Sequence, residues 1–253
     1  MTVLDQFLLD QDVAIVTGGS RGIGNEIAHA LAEAGAAVVI ANRTEAEAAA
    51  EEIRRETGSD ALWVGTDITD DADVEQLVAR TVDEFGGIDV LVNNAGVSVK
   101  SPAFEKTVSE FRRTLEINLV GTFQCTKHVG KEMKSGGGGS IINISSMSAY
   151  VANYPQGLVD YQASKGGLEA FKNQLASEWA EHDIRVNNIN PGYVDTDILL
   201  DDEEMRRIWR SEMLQEEFAD PSEIAPLAVY LASEASSYVT GESILIDGGY
   251  TVR

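Results

Sequence analysis

The chain has one cysteine, Cys125, so no disulfide can form within it. Its three histidines, His29, His128 and His182, are scattered and not grouped as metal ligands, so no metal site is expected. No apolar run reaches the roughly 20 residues needed to cross a bilayer. The opening MTVLDQFLLDQDVAIV lacks the basic start of a secretory leader. Basic residues are few: 19 Lys and Arg stand against 42 Asp and Glu, for a net charge of −23. Such a chain repels nucleic acid and anionic membranes, which removes both as expected partners. Together these shortages predict a soluble cytoplasmic protein.

What remains is enough for a sizeable core. The chain is 253 residues long and 43% hydrophobic. No linker or shift in composition divides it, so residues 1–253 are expected to form one domain. The acid excess is spread along the chain and does not form a tail, and Arg outnumbers Lys. This composition resembles that of proteins from salt-accumulating, halophilic organisms. The physical expectation is a strongly hydrated surface that repels itself at low ionic strength and is screened in high salt.

Short apolar runs alternate with amphipathic stretches of helical length. The runs lie at 13–17, 37–41, 61–65, 88–93, 140–145, 184–189 and 243–247, and the stretches include IGNEIAHALAEAG, EAEAAAEEIRRETG and DADVEQLVARTVDEFG. That alternation predicts an α/β fold: a doubly wound, parallel, seven-stranded sheet with helices on both faces. SGGGGS at 135–140 resembles an engineered linker but sits directly before a strand, so it is read as a helix-to-strand turn. DITDDAD at 67–73 has calcium-like spacing of acids, but it lacks the Gly and Glu of a calcium loop and reads as the acidic start of a helix.

The run VAIVT leads into TGGSRGIG and then a helix, with glycines at 18, 22 and 24. Gly18 permits a tight turn, Gly22 lets a pyrophosphate approach the backbone, and Gly24 lets the helix pack closely. The helix N-terminus supplies free N–H groups to a phosphate. After the second strand, where a dinucleotide fold usually carries an acid for the NAD ribose, stand Asn42 and Arg43. Arg43, with Arg21 on the same side, can pair with a 2′-phosphate. NADP(H) is therefore the favoured cofactor, with NAD(H) possible.

Tyr161 and Lys165 are four residues apart in a stretch that reads as helix, so a phenol and an ammonium share one face. A nearby positive charge lowers a phenol pKa toward the range useful for proton transfer. A hydroxyl from Ser145, Ser146 or Ser148 could hold the oxygen that gains or loses the proton.

With these motifs in order, the chain resembles the short-chain dehydrogenase/reductase family over essentially its whole length. TGGSRGIG matches the cofactor loop, Asp67 the acid near the adenine, NNAG at 93–96 the motif after the fourth strand, and INLVGTF the segment with Asn118. IINISS, YQASK, PGYVDT and the closing LIDGGY follow in register. The resemblance implies a single-domain Rossmann fold and a catalytic set of Asn118, Ser146, Tyr161 and Lys165. Tyr161 would be the general acid/base, and Ser146 would hold the substrate oxygen. Lys165 would lower the phenol pKa and hold the ribose, and Asn118 would anchor a water that relays protons to Lys165. The cofactor contacts implied are Gly18, Ser20, Arg21, Gly22, Ile23 and Gly24 in the loop, Asn42 and Arg43, then Asp67 and Ile68. Asn94, Ala95, Gly96, Tyr161 and Lys165 follow, and Pro191, Gly192, Val194 and Thr196 would lie on the nicotinamide side. Ser148, Asn153, Gln156 and Tyr193 would face the substrate. A homotetramer is also implied.

The interval from Ser146 to Tyr161 is longer than is usual in the family. Its SSMSAYVANYPQ segment resembles the branch that acts on sugars and polyols, the mannitol- and sorbose-type enzymes. The expected function is NAD(P)(H)-dependent interconversion of a carbonyl and an alcohol on a sugar, polyol or sugar acid. A 3-oxoacyl thioester reductase is the alternative enzyme, and a non-catalytic dinucleotide-binding scaffold the alternative of another class. The segment from about 195 to 217, with Ile198, Leu199, Met205, Trp209 and Met213, is expected to form a partly apolar lid over the substrate.

Overall fold

The structure is a computed structural model that describes residues 2–196 and 203–252. Ile198 and Leu199 of the expected lid lie outside the described residues. Seven parallel strands form one sheet in the order β3-β2-β1-β4-β5-β6-β7. They are β1 (Val13–Thr17), β2 (Ala37–Asn42), β3 (Ala61–Gly65), β4 (Val90–Asn93), β5 (Gly139–Ile144), β6 (Ile184–Pro191) and β7 (Ser243–Ile246). The helices are α1 (Gly22–Glu33), α2 (Glu47–Thr57), α3 (Asp71–Phe85), α4 (Val108–Leu115), α5 (Thr122–Gly136), α6 (Val159–Trp179), α7 (Glu203–Glu212) and α8 (Ala225–Ala232).

Side-chain alternation along the strands builds two cores. Ala14 and Val16 of β1 face Ile27, Leu31, Ile53 and Leu231 from α1, α2 and α8. Ile15, between them, faces the opposite layer with Leu77, Val129, Met133 and Leu175 from α3, α5 and α6. Every residue of β1 is buried, as expected of a strand covered on both faces. The second layer also encloses Cys125, and burial pushes its thiol pKa up to about 12, well away from thiolate chemistry.

Strand ends differ from the sequence reading by a residue or two where tertiary contacts decide them. β6 runs on to Pro191 because β7 pairs with it at Asn190↔Leu245 and Pro191↔Ile246. The glycine run does close α5 and open β5. Asp70 caps α3 by accepting a hydrogen bond from the Ala72 N–H at 2.9 Å, so the acidic stretch there is a helix start. Among the described residues no helix is long and apolar enough to cross a membrane.

The chain order reverses between β1 and β4, since β1 leads out to β2 and β3 while β4 leads the other way. A crevice opens at such a switch point beyond the carboxyl ends of the strands. The glycine loop after β1 and the NNAG segment after β4 meet there.

Candidate active site

Two connected clefts occupy this edge of the sheet. The first is lined by Gly18, Ser20, Arg21, Gly22 and Ile23 of the glycine loop, by Asn42 and Arg43 after β2, and by Asp67 and Ile68 after β3. Asn94, Ala95, Gly96 and Thr196 complete its inner side. The second, a cavity of about 160 Å³, is lined by Ser146, Tyr161 and Lys165, by Pro191, Gly192 and Val194, and by Ser148, Asn153, Gln156 and Tyr193. Ile23, Asn94, Gly96 and Thr196 border both clefts, so a single extended ligand can span them.

The first cleft fits a dinucleotide on its own geometry. Gly22 has φ +55°, a left-handed conformation that L side chains rarely adopt, at the first residue of α1. The N-cap Arg21 makes no side-chain capping bond, so the first-turn N–H groups of α1 remain available to a phosphate. Gly24 faces inward: a Cβ there would overlap the Asn94 side chain and the Gly18 carbonyl. Asn94 fastens the loop, its amide donating to the carbonyls of Thr17 at 3.0 Å and Gly18 at 3.1 Å. Thr17 answers by accepting from the N–H groups of Asn94 and Ala95, each at 3.0 Å. At the adenosine end Arg43 is two-thirds exposed and lies 4.0 Å from Asp67. Thr69 hydrogen bonds hold the Asp67 carboxyl below its usual range, with smaller help from Arg43 and Arg113.

In the second cleft Tyr161 and Lys165 project from one face of α6, with the Lys165 ammonium 5.5 Å from the Tyr161 ring centre. Lys165 is buried and donates to the Ile144 carbonyl at 2.6 Å. Burial lowers its pKa to about 8, opposed by Glu169, so it stays charged at neutral pH. The Tyr161 hydroxyl is pushed above the usual phenol range by burial, while contact with the Ser146 side chain acts downward. Ser146 donates to the Ser148 hydroxyl at 2.9 Å and also accepts from the Ser148 N–H at 3.1 Å. Ser146 is thus oriented by Ser148, and the two hydroxyls face the cavity together.

Asn118 does not line either cleft. It is buried in a π-helical stretch, Glu116–Gly121, between α4 and α5. Its side chain accepts from the Val97 N–H at 2.8 Å and donates to the Val97 carbonyl at 2.9 Å and the Ser164 hydroxyl at 3.1 Å. The amide therefore ties the loop after β4 to α6 between Tyr161 and Lys165.

Several residues that matter here were not singled out from sequence. Asn93, Asn143 and Asn188 form a buried amide ladder across β4, β5 and β6, each step 2.9 Å. It clamps together the strand ends that carry NNAG, Ser146 and the 191–196 loop. Glu169, one further turn along α6 from Lys165, accepts from Asn190 at 2.7 Å, Tyr150 at 2.9 Å and Ser243 at 2.5 Å. Asn190 in turn donates to the Ser146 carbonyl at 3.1 Å. Continuing the four-residue spacing from Tyr161 and Lys165 to Glu169 was the sequence signal that would have found it. Lys106 and Asp160 make a buried ion pair at 2.8 Å beside Tyr161. Arg113 borders the cofactor cleft.

Of the expected cover, Trp209, Met213 and Met205 pack with Met147 and Tyr193 in a small separate cluster. Trp209 of α7 stacks on Tyr193, ring centres 4.8 Å apart, and Tyr193 in turn lines the cavity.

The comparisons agree with this architecture. Residues 18–251 match the family pattern described as Enoyl-(Acyl carrier protein) reductase. Over 257 residues the chain is 40% identical to the NADP-dependent mannitol dehydrogenase of Hypocrea jecorina, covering 99% of this chain and 96% of that one. A crystal structure of a short-chain type dehydrogenase/reductase from Mycobacterium marinum superposes with a TM-score of 0.97 at 37% identity, each chain covered in full. The chain belongs to the short-chain dehydrogenase/reductase family. A second structure, a gluconate 5-dehydrogenase from Burkholderia cenocepacia in complex with NADP and tartrate, matches with a TM-score of 0.95 at 33% identity, again over both full chains. As a family member the chain is an oxidoreductase that interconverts an alcohol and a carbonyl, and the two clefts are the places where such chemistry needs them.

Proposed function

We propose that this short-chain dehydrogenase/reductase is an NADP(H)-linked enzyme for a polyhydroxylated small molecule: a sugar, a polyol or a sugar acid. The observation that carries the reading is the single cavity bordered by Tyr161, Lys165 and Ser146 and continuous with the glycine-loop cleft. In a largely apolar wall stand polar groups that could meet a polyol: amides of Asn153 and Gln156 and hydroxyls of Ser148 and Tyr193. The names of the mannitol and gluconate relatives support the same substrate class.

The first cleft would hold a nicotinamide cofactor, whose chemistry would be to provide the hydride for reduction of a carbonyl carbon. Tyr161 gives its proton to the carbonyl oxygen while the Ser146 hydroxyl holds that oxygen. Lys165 keeps a positive charge beside the phenol, which favours the phenolate left behind, and its ammonium serves the ribose hydroxyls. Asn118 fixes the distance between the Val97 loop and α6. A water held near it and passing protons to Lys165 is part of this proposal. α7 with Trp209 would exclude solvent from the Tyr193 side as a substrate lid. A panel of alditols, aldonates and ketoses followed by nicotinamide absorbance tests the reading. Turnover of a 3-oxoacyl thioester alone, or of nothing, would overturn it.

The reading extends to assembly and medium. We place the enzyme in the cytoplasm as a homotetramer. β7 is a sheet edge with Leu245 exposed, and Val108 of α4, Val120 of the π-helical stretch and Phe123 of α5 are exposed, so two separate apolar surfaces are open to a second copy. Sedimentation should give a tetramer at working salt, and a stable monomer would refute it. The net charge of −23 should make the fold salt-dependent. The melting temperature is expected to rise between low-salt buffer and molar KCl, where the screening length falls to about 3 Å. An unchanged value would remove the halophilic reading.

A further inference from the structure

A carboxylate stands directly behind the reacting groups, and the chemistry derived above gives it no role. Tyr161, Lys165 and Glu169 follow one another at four-residue steps along α6, so they share one face of the helix. Glu169 is half-buried, and both of its oxygens are bound. Oε1 accepts from the Asn190 amide on β6 at 2.7 Å. Oε2 accepts from the Tyr150 hydroxyl, after β5, at 2.9 Å and from the Ser243 hydroxyl, at the start of β7, at 2.5 Å. Burial by itself raises the pKa of this carboxyl. Hydrogen bonds from Ser243, Asn190, Ser145 and Tyr150 outweigh it and hold the group below its usual range, so it is ionised at neutral pH.

The bond to Asn190 reaches the active site in one step. Asn190 is fully buried, and the nitrogen that donates to Glu169 also donates to the Ser146 carbonyl at 3.1 Å. Glu169 therefore grips, through one amide, the backbone of the residue whose hydroxyl holds the substrate oxygen. A movement of that backbone carries the Ser146 hydroxyl with it.

The charge of Glu169 reaches the active site as well. The Lys165 ammonium is buried and donates to a neutral partner, the Ile144 carbonyl. Burial lowers its pKa to about 8, and Glu169 acts in the opposite direction. The other titratable groups around Glu169 are Lys172 on the same helix, Tyr150 from the segment after β5 and Glu242 just before β7. Lys172 spends its hydrogen bonds elsewhere, on the Gly241 carbonyl and the Ser243 hydroxyl, each at 2.7 Å. Glu242 acts on Tyr150 and Lys172, so it adds to the negative charge at this end of the cluster.

We propose that Glu169 is a positioning residue for hydride and proton transfer: through Asn190 it fixes Ser146, and its negative charge, one turn behind Lys165, supports the ammonium that faces Tyr161. It does not border the cavity and touches no reacting atom. The proposal rests on the roles given above to Ser146, Tyr161 and Lys165, and not on the choice of substrate.

The charge is tested on the free protein. Lys165 lines the cavity, so a small reagent can reach it. Competitive acetylation with acetic anhydride over a pH series, read by peptide mass spectrometry, gives the midpoint at which its amine becomes reactive. The wild-type midpoint is expected at about 8. Loss of a nearby anion disfavours the protonated amine, so Glu169→Gln and Glu169→Met should each lower the midpoint by about half a unit or more. Glu169→Asp keeps the charge and should stay near wild type. The link to Ser146 is tested by kcat, with NADPH and the fastest ketose of the panel. Gln can still accept from Asn190, whereas Met releases it. Glu169→Met should therefore lower kcat about ten- to hundredfold, more than Glu169→Gln does. Circular dichroism identifies the folded variants. A residue that only braces the strands would change the melting temperature and leave the Lys165 midpoint in place; that result in a folded neutral variant overturns the proposal. Wild-type kcat in folded Glu169→Met, or an equal loss in Met and Gln, overturns the link to Ser146. If no ketose is reduced, the proposed substrate class fails, and the labelling still decides the role of Glu169. A midpoint lowered in the neutral variants and kept in Glu169→Asp supports it; an unchanged midpoint overturns it.

Discussion

Replacing Tyr161 with Phe is expected to lower kcat by about 10²- to 10⁴-fold, the usual range for removal of a positioned general acid/base. The phenyl ring remains on α6 against the Lys165 ammonium, so the cation–ring contact at 5.5 Å survives. What disappears is the hydroxyl that shares its proton with substrate beside Ser146. NADPH affinity, read by fluorescence titration, and the melting temperature should stay close to wild type. The loss therefore belongs in kcat rather than in cofactor binding. Burial raises the phenol pKa and lowers that of Lys165, so the protein alone resists forming a phenolate–ammonium pair. The charge separation must be supported by groups that bound substrate and cofactor bring to the site. Residual activity within a few-fold of wild type would show that another group carries the proton.

The chemistry on α6 was legible because it is local. Tyr161 and Lys165 need only the 3.6-residue repeat to bring them onto one face, and all seven strands could be placed from apolar runs bounded by glycine and polar residues. The glycine loop was equally readable, since strand, loop and helix adjoin in sequence. The supports of the site were not readable, because each joins residues distant in the chain. Asn118 reaches Val97 and Ser164 at sequence separations of 21 and 46. The Asn93–Asn143–Asn188 ladder depends on the register of three parallel strands, which periodicity within one strand does not contain.

Exchanging Asn42 for Asp together with Arg43 for Leu is expected to reverse the cofactor preference, from NADPH in the wild type to NADH in the variant. Both side chains border the cleft at the carboxyl end of β2, where a dinucleotide fold places the adenosine ribose. Charge-assisted bonds from a guanidinium to a 2′-phosphate contribute about 1.5–3 kcal/mol, roughly ten- to hundredfold in kcat/KM. The lower half of that range is the better expectation here. Arg43 is two-thirds exposed and already sits 4.0 Å from Asp67, so a phosphate must compete with water and with that carboxylate for it. Arg113 and Arg21 border the same cleft and soften the effect of losing Arg43. Asp at position 42 works from the other side: it repels a 2′-phosphate and can clasp the 2′-hydroxyl of NADH. Asn42 now donates to the Thr44 carbonyl and hydroxyl at 3.1 and 3.0 Å, bonds that hold the turn after β2. A carboxylate keeps only its contact with the Thr44 hydroxyl, so a small fall in melting temperature should accompany the switch. Because the contribution of Arg43 is ionic, the wild-type preference should shrink as KCl is raised from 0.1 M to molar concentrations. The ratio of kcat/KM for NADPH and NADH, measured across that salt series for both proteins, decides the matter. A wild type that favours NADH at every salt concentration would leave Arg43 as a solvated residue of the turn before α2.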